Sequence, residues 1–77
     1  MTIQQLQYIL EVQRTGSVSR AAKKLFVSQS GISTCIAGIE AELGFAVFER
    51  TRQGMIPTPR GMHVLEHAAK ICMSYSD

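Results

Sequence analysis

A chain of 77 residues, 45% hydrophobic and 18% charged, is sized for one small domain, which excludes a multidomain enzyme. Eight Lys and Arg against six Asp and Glu leave a formal charge of +2, too little to demand a polyanionic partner by itself. A domain this small buries only about 60% of the surface its unfolded chain exposes, so a partner surface is expected to add to its stability.

The N-terminus has no basic region followed by an apolar run, so no secretory signal is expected. No apolar stretch approaches the ~20 residues of a membrane span, and no membrane partner is expected. Cys35 and Cys72 lack Cys-x-x-Cys spacing, which argues against a disulfide scaffold or zinc ribbon and for reduced thiols in a cytoplasm.

Thr2 followed by Gln5 has the spacing of a capping box, and Ile3, Leu6, Ile9 and Leu10 then make one apolar helical stripe that should stop at Gly16. Ser17 caps a second helix of about two turns, Val18 to Leu25, with Ala and Leu inward and Arg and Lys outward. A third helix starts at Ser28, carries Ile32, Ile36, Ile39 and Leu43 on one side, and is stopped by Gly44. Residues 45–51 are rich in strand formers, and Gly54 supplies a tight turn into Met55-Ile56, predicting a small hairpin. Thr58 caps a fourth helix with Pro59 in its first position, and nothing breaks that helix before Asp77. No repeat, low-complexity stretch or linker interrupts the series.

Charge is unevenly placed along these elements. Between Glu11 and Glu40 there is no acid, and Arg14, Arg20, Lys23 and Lys24 fall in the gap; between Glu49 and Glu66 the same holds for Arg50, Arg52 and Arg60. Two basic blocks in a nearly neutral chain suit two contact elements facing one anionic surface. On the third helix, the side opposite the isoleucines consists of Ser30, Ser33, Thr34, Ala37 and Ala41. A solvated face would carry Lys, Glu and Gln, so this small, uncharged face is shaped for close approach by another surface.

A basic helix, a turn of about three residues and a helix starting Ser28-Gln29-Ser30 make a helix-turn-helix whose second helix would enter the major groove of double-stranded DNA. Its N-terminus offers free N–H groups to a phosphate, with Ser28 as the cap. Gln29 suits paired hydrogen bonds to adenine, and Ser30, Ser33 and Thr34 can donate or accept. Arg20 and Lys24 are further phosphate candidates.

The run Val18-Ser19-Arg20-Ala21-Ala22-Lys23-Lys24-Leu25-Phe26-Val27-Ser28-Gln29-Ser30-Gly31-Ile32-Ser33 closely resembles the helix-turn-helix of LysR-type transcriptional regulators. Ile39-Glu40-Ala41-Glu42-Leu43-Gly44, Val47-Phe48-Glu49-Arg50-Thr51 and Thr58-Pro59-Arg60-Gly61 follow in that family's order and spacing, so the resemblance covers nearly the whole chain. It implies a mainly α, winged helix-turn-helix: a three-helix core, a β-hairpin wing touching DNA through Arg50 and Arg52, and a long C-terminal linker helix. The implied division is a DNA-binding domain over 1–58 and a linker and dimerisation helix over 59–77. The implied partners are double-stranded DNA carrying an interrupted inverted repeat and a second copy of the chain. A small-molecule effector would act only through a further C-terminal domain. The implied setting is a prokaryotic cytoplasm, at the nucleoid, with no cofactor and no catalytic residue. Several positions depart from the family: Thr34 stands where Arg is usual, Cys35 where Gln is, Ala37 where a basic residue is, and Pro57 where Leu is common. Forgoing one phosphate contact lowers the salt slope of binding by about 0.9.

Two apolar seams run along the fourth helix, Met62-Leu65-Ala69-Cys72 and Val64-Ala68-Ile71-Tyr75. A small domain has little left with which to bury both, so these residues are expected at a homodimer contact. Two other readings compete. The scaffold is an interaction module for another protein, or His63, Glu66 and His67, which match the H-x-x-E-H pattern, form a zinc-binding fragment. Arg50 and Arg52 beside a glycine turn weigh against the first, and the chain supplies no evident third protein ligand for the second.

Overall fold

The computed structural model describes residues 1–76, with side chains as far as Ser74. The order is α1 (Ile3–Thr15), α2 (Val18–Leu25), α3 (Gln29–Leu43), β1 (Phe48–Thr51), β2 (Gly54–Pro57) and α4 (Pro59–Ser76).

Each helix starts on a side-chain cap. Thr2 Oγ1 accepts from the Gln5 N–H at 3.1 Å while Gln5 Oε1 accepts from the Thr2 N–H at 2.9 Å, the reciprocal pair of a capping box. Ser17, Ser28 and Thr58 accept from the N–H groups of Arg20, Gly31 and Gly61 in the same way. Gly16 and Gly44 end α1 and α3 in the left-handed region. Phe26 ends α2 in that region as well, at φ 60°.

The core lies between the helices. Leu6, Ile9 and Val12 of α1 meet Val18, Ala21 and Ala22 of α2 and Ile32, Ile36 and Ile39 of α3; Val47, Phe48, Leu65 and Ala68 close it. The isoleucine stripe of α3 is therefore spent inside the domain.

The first strand is shorter than its composition predicts, beginning at Phe48 and not at Phe45. Residues 46 and 47 are already engaged elsewhere. The Val47 N–H donates to Glu40 Oε2 at 2.8 Å, its carbonyl accepts from the Thr58 N–H at 2.9 Å, and the Ala46 carbonyl accepts from Thr58 Oγ1 at 2.6 Å. From Phe48 onward the hairpin pairs in antiparallel register, Phe48 opposite Pro57 and Thr51 opposite Gly54. It is seated on the α1–α2 turn, where the Met55 N–H donates to the Gly16 carbonyl at 2.9 Å. Gly54, at φ 119°, permits this approach, since a Cβ there would overlap the Gly16 carbonyl oxygen.

The fourth helix divides its apolar residues differently from the two seams expected at a dimer contact. Leu65 and Ala68, one from each seam, are 1% exposed in the chain's own core. They are three residues apart, hence on one face, and α4 lays that face on α1. Val64 and Cys72 are half-buried, while Met62, Ala69 and Ile71 stay exposed. The Tyr75 side chain lies outside the described residues.

Candidate nucleic-acid interface

The side of α3 away from the core is open. Gln29, Ser30, Ser33, Thr34, Ala37 and Ala41 are all exposed, so this small, uncharged face is not used for packing within the domain. At its start the Ser28 hydroxyl accepts from the Gly31 N–H at 3.0 Å and lies 3.2 Å from the Ser30 hydroxyl. Ser28 thus orders the first turn, and the N–H groups of that turn carry the positive end of the helix dipole.

Arg50, exposed on β1, is brought to the same side by the seat of the hairpin on Gly16. Gln29 and Ser33 of α3, Arg50 of β1, and Ser17 and Ser19 at the start of α2 line one shallow concavity. A second concavity continues it past Ser33 and Arg50 to Ala37 and Glu40. Arg52 is exposed on the hairpin turn. Ser17 and Ser19 were not among the sequence candidates. Nothing local to them distinguishes a cap serine that stays in the core's shadow from one that faces the wing.

The remaining basic residues do not join this surface. Arg20 and Lys24 are exposed but line a separate concavity with Arg14, Thr15 and Lys23. Arg60, counted with Arg50 and Arg52 in the second basic block, lies over the Phe45 ring at 5.1 Å and lines a third concavity with His63 and His67. The block is therefore split by the fold, because a guanidinium over an aromatic face is held there by the ring's electron density. Among the described residues the ion pairs are Arg14 with Glu11 and the N-terminal amine with Glu42, so neither Arg50 nor Arg52 is engaged by an acidic side chain there.

Cys35 is buried, with its Sγ 3.8 Å from the Gln5 carbonyl, and burial pushes the thiol pKa up. Its departure from the family's Gln is thus a change in the core and not on the open face, whereas Thr34 and Ala37 do alter that face. His63, Glu66 and His67 are exposed on α4, and among the described residues no three His, Cys, Asp or Glu side chains stand close enough to hold a metal ion. The zinc reading loses its ligand set. Among the described residues no helix is long and apolar enough to cross a membrane.

Three helices in this order, with a hairpin docked beside the third, define a winged helix-turn-helix. Residues 3–62 match the family described as bacterial regulatory helix-turn-helix protein, lysR family. The chain is 44% identical over 71 residues to the probable HTH-type transcriptional regulator LrrA of Synechococcus elongatus, covering 92% of this chain and 24% of that protein. It is 37% identical over the same shares to the HTH-type transcriptional regulator ClcR of Pseudomonas putida. Among solved structures it superposes on the DNA-binding domain of CbnR in complex with DNA with a TM-score of 0.92 at 36% identity, covering 99% of this chain and 87% of that one. On the DNA-binding domain of BenM with benA site 1 DNA the TM-score is 0.93 at 30% identity, covering 99% and 88%. This chain belongs to the LysR family of bacterial transcriptional regulators, and it corresponds to their winged helix-turn-helix. It spans about a quarter of the length of the curated relatives it matches, 24% in both.

Proposed function

We propose that this chain reads double-stranded DNA in a sequence-specific way for a transcriptional regulator, and that it carries out no reaction. The observation that carries the reading is the meeting of Gln29 and Ser33 with Arg50 on one exposed face, free of acidic ion-pair partners among the described residues. The solved structures of CbnR and BenM domains with DNA support it. In this reading α3 enters the major groove. Gln29 reads adenine, while Ser30, Ser33 and Thr34 reach base edges or backbone; Ala37 and Ala41 leave room for thymine methyl groups. Ser28 presents the first turn of α3 to a phosphate. Arg50 and Arg52 anchor the wing on the backbone or in the minor groove.

The functional unit is a homodimer on an interrupted inverted repeat, with residues 1–58 reading DNA and 59–77 linking and pairing subunits. Of the two expected seams, Met62, Ala69 and Ile71 are the residues that stay exposed to meet a second copy. Response to a small-molecule effector is assigned to the part of the relatives' length outside this chain, and the site of action is the cytoplasm.

The test is selection of bound duplexes from a random library at moderate salt. Enrichment of two half-sites in inverted orientation, with centres a multiple of about 34–36 Å apart, is the expected result. Enrichment of a single half-site would overturn the dimer, and no enrichment would overturn sequence reading and favour a protein partner. Reversing the wing charges with Arg50→Glu and Arg52→Glu is expected to abolish binding.

A further inference from the structure

An acid stands among the residues assigned to DNA. Glu40 of α3 lines the concavity that Ser33, Ala37 and Arg50 share, and among the described residues no other acid lines either concavity of this face. A carboxylate there repels the phosphates that Arg50 would attract. Among the described residues no ion pair joins it to Arg50, so holding that guanidinium is not its task. Its partners are backbone groups.

Glu40 Oε2 accepts from the Val47 N–H at 2.8 Å and from the Phe48 N–H at 3.3 Å. Val47 is 0% and Phe48 6% exposed, so water is poorly placed to replace that acceptor, and a buried N–H left without one is costly. Both bonds end on one oxygen, which fastens the entry of β1 directly to α3. The other tether of the hairpin, Met55 to Gly16, fastens β2 to the α1–α2 turn. Two strands alone are only marginally stable, so the wing takes its position from such anchors. Arg50 follows Phe48 by two residues on the same strand, and a shift at Phe48 passes to it.

We propose that Glu40 is a positioning residue for DNA binding: its acceptor oxygen, acting through the Val47 and Phe48 N–H groups, sets where Arg50 and Arg52 stand relative to α3. The inference rests on the DNA-reading function proposed above. Gln29 and Ser33 lie near the start of α3 and Glu40 about three turns beyond Gln29. The helix that reads bases therefore also fixes the arginines that meet the phosphates. The role needs an oxygen in place and not a negative charge.

The experiment measures affinity against salt, between about 50 and 200 mM, for a mixed-sequence duplex of about two helical turns. Glu40→Ala removes the acceptor, whereas Glu40→Gln removes the charge and keeps an oxygen in reach. Glu40→Ala is expected to make the slope of log K against log salt shallower by about 0.9 for each phosphate the wing no longer neutralises, up to two, one for each arginine. Glu40→Gln is expected to keep the wild-type slope. In a chain already carrying Arg50→Gln and Arg52→Gln, Glu40→Ala is expected to change the slope no further. A wild-type slope in Glu40→Ala, equal flattening in Glu40→Gln, or the same flattening without the two arginines would overturn the positioning role. Tighter binding by both Glu40 variants would also overturn it, leaving the carboxylate as a repelling charge. Failure of the wild-type chain to bind the duplex would overturn the DNA-reading function and this inference with it. Circular dichroism checks the fold, and Glu40→Asp, which keeps the charge but draws the oxygen back, repeats the comparison should Glu40→Ala lose helix content.

Discussion

Phe26 is 93% exposed and holds φ 60° between α2 and α3, so it combines a left-handed backbone with a side chain that gains almost nothing from burial. The left-handed conformation costs an L-residue roughly 1–2 kcal/mol, because Cβ crowds the following carbonyl. Phe26→Gly should therefore raise stability by up to about 1 kcal/mol, the rest being offset by glycine's greater freedom when unfolded. A higher urea midpoint with an unchanged slope checks it. Cys35 sets a second residue-scale expectation. Burial raises its folded pKa above the ordinary thiol range, so the unfolded chain releases the proton first. Stability is then complete below the unfolded value of about 8.5 and is lost as pH rises through the folded one. Cys35→Ala should flatten this alkaline loss relative to the wild-type chain in urea melts at neutral and alkaline pH.

At the scale of elements, two helical glycines make opposite demands. Gly38 is exposed in the middle of α3, and a Cβ added there would meet open space, so Gly38→Ala should stabilise by about 0.5–1 kcal/mol through helix propensity alone. Gly61 occupies the first turns of α4, where a Cβ would overlap the Val47 carbonyl. Gly61→Ala should destabilise by about 1–3 kcal/mol despite the same gain in propensity, because the helix must move off the chain it docks on. Thermal melts of the two variants should shift in opposite directions. Helix limits were legible from the residues because a cap acts within one turn: Thr2, Ser17, Ser28 and Thr58 were each identified from their own neighbours. The start of β1 was not. Phe45, Ala46 and Val47 favour strand by composition, but Val47 is claimed by Glu40, seven residues earlier, and by Thr58, eleven residues later.

At the scale of the molecule, α4 serves the domain's own core with one face and leaves another open. Leu65→Ala should cost about 2–5 kcal/mol of stability, since Leu65 is enclosed by the core. Ile71 is 47% exposed, and Ile71→Glu should leave the melt nearly unchanged while shifting the proposed homodimer to monomer in sedimentation at the same concentration. A dimer that persists in Ile71→Glu would move the contact elsewhere. The two seams could not be assigned from spacing alone, because residues three and four apart share a face and both seams satisfied that rule.

The exposed side of α3 was legible for a related reason: once the isoleucines define the inner side, a helix's periodicity determines which residues lie opposite. The place of Arg50 and Arg52 on an exposed hairpin was legible through the Gly54 turn, but Arg60 was grouped with them by charge alone and the fold sends it to Phe45. By itself the sequence determined the helices, their caps, the hairpin turn and the open face of the third helix, all of which depend on hydrogen bonds and periodicities spanning a few residues. Only the tertiary structure decided where the wing sits, which arginine shares a concavity with the recognition helix, and which residues of α4 remain exposed. Those outcomes rest on contacts between segments distant in sequence, such as Gly16 with Met55 and Val47 with Gly61, and local propensity carries no information about which of them forms.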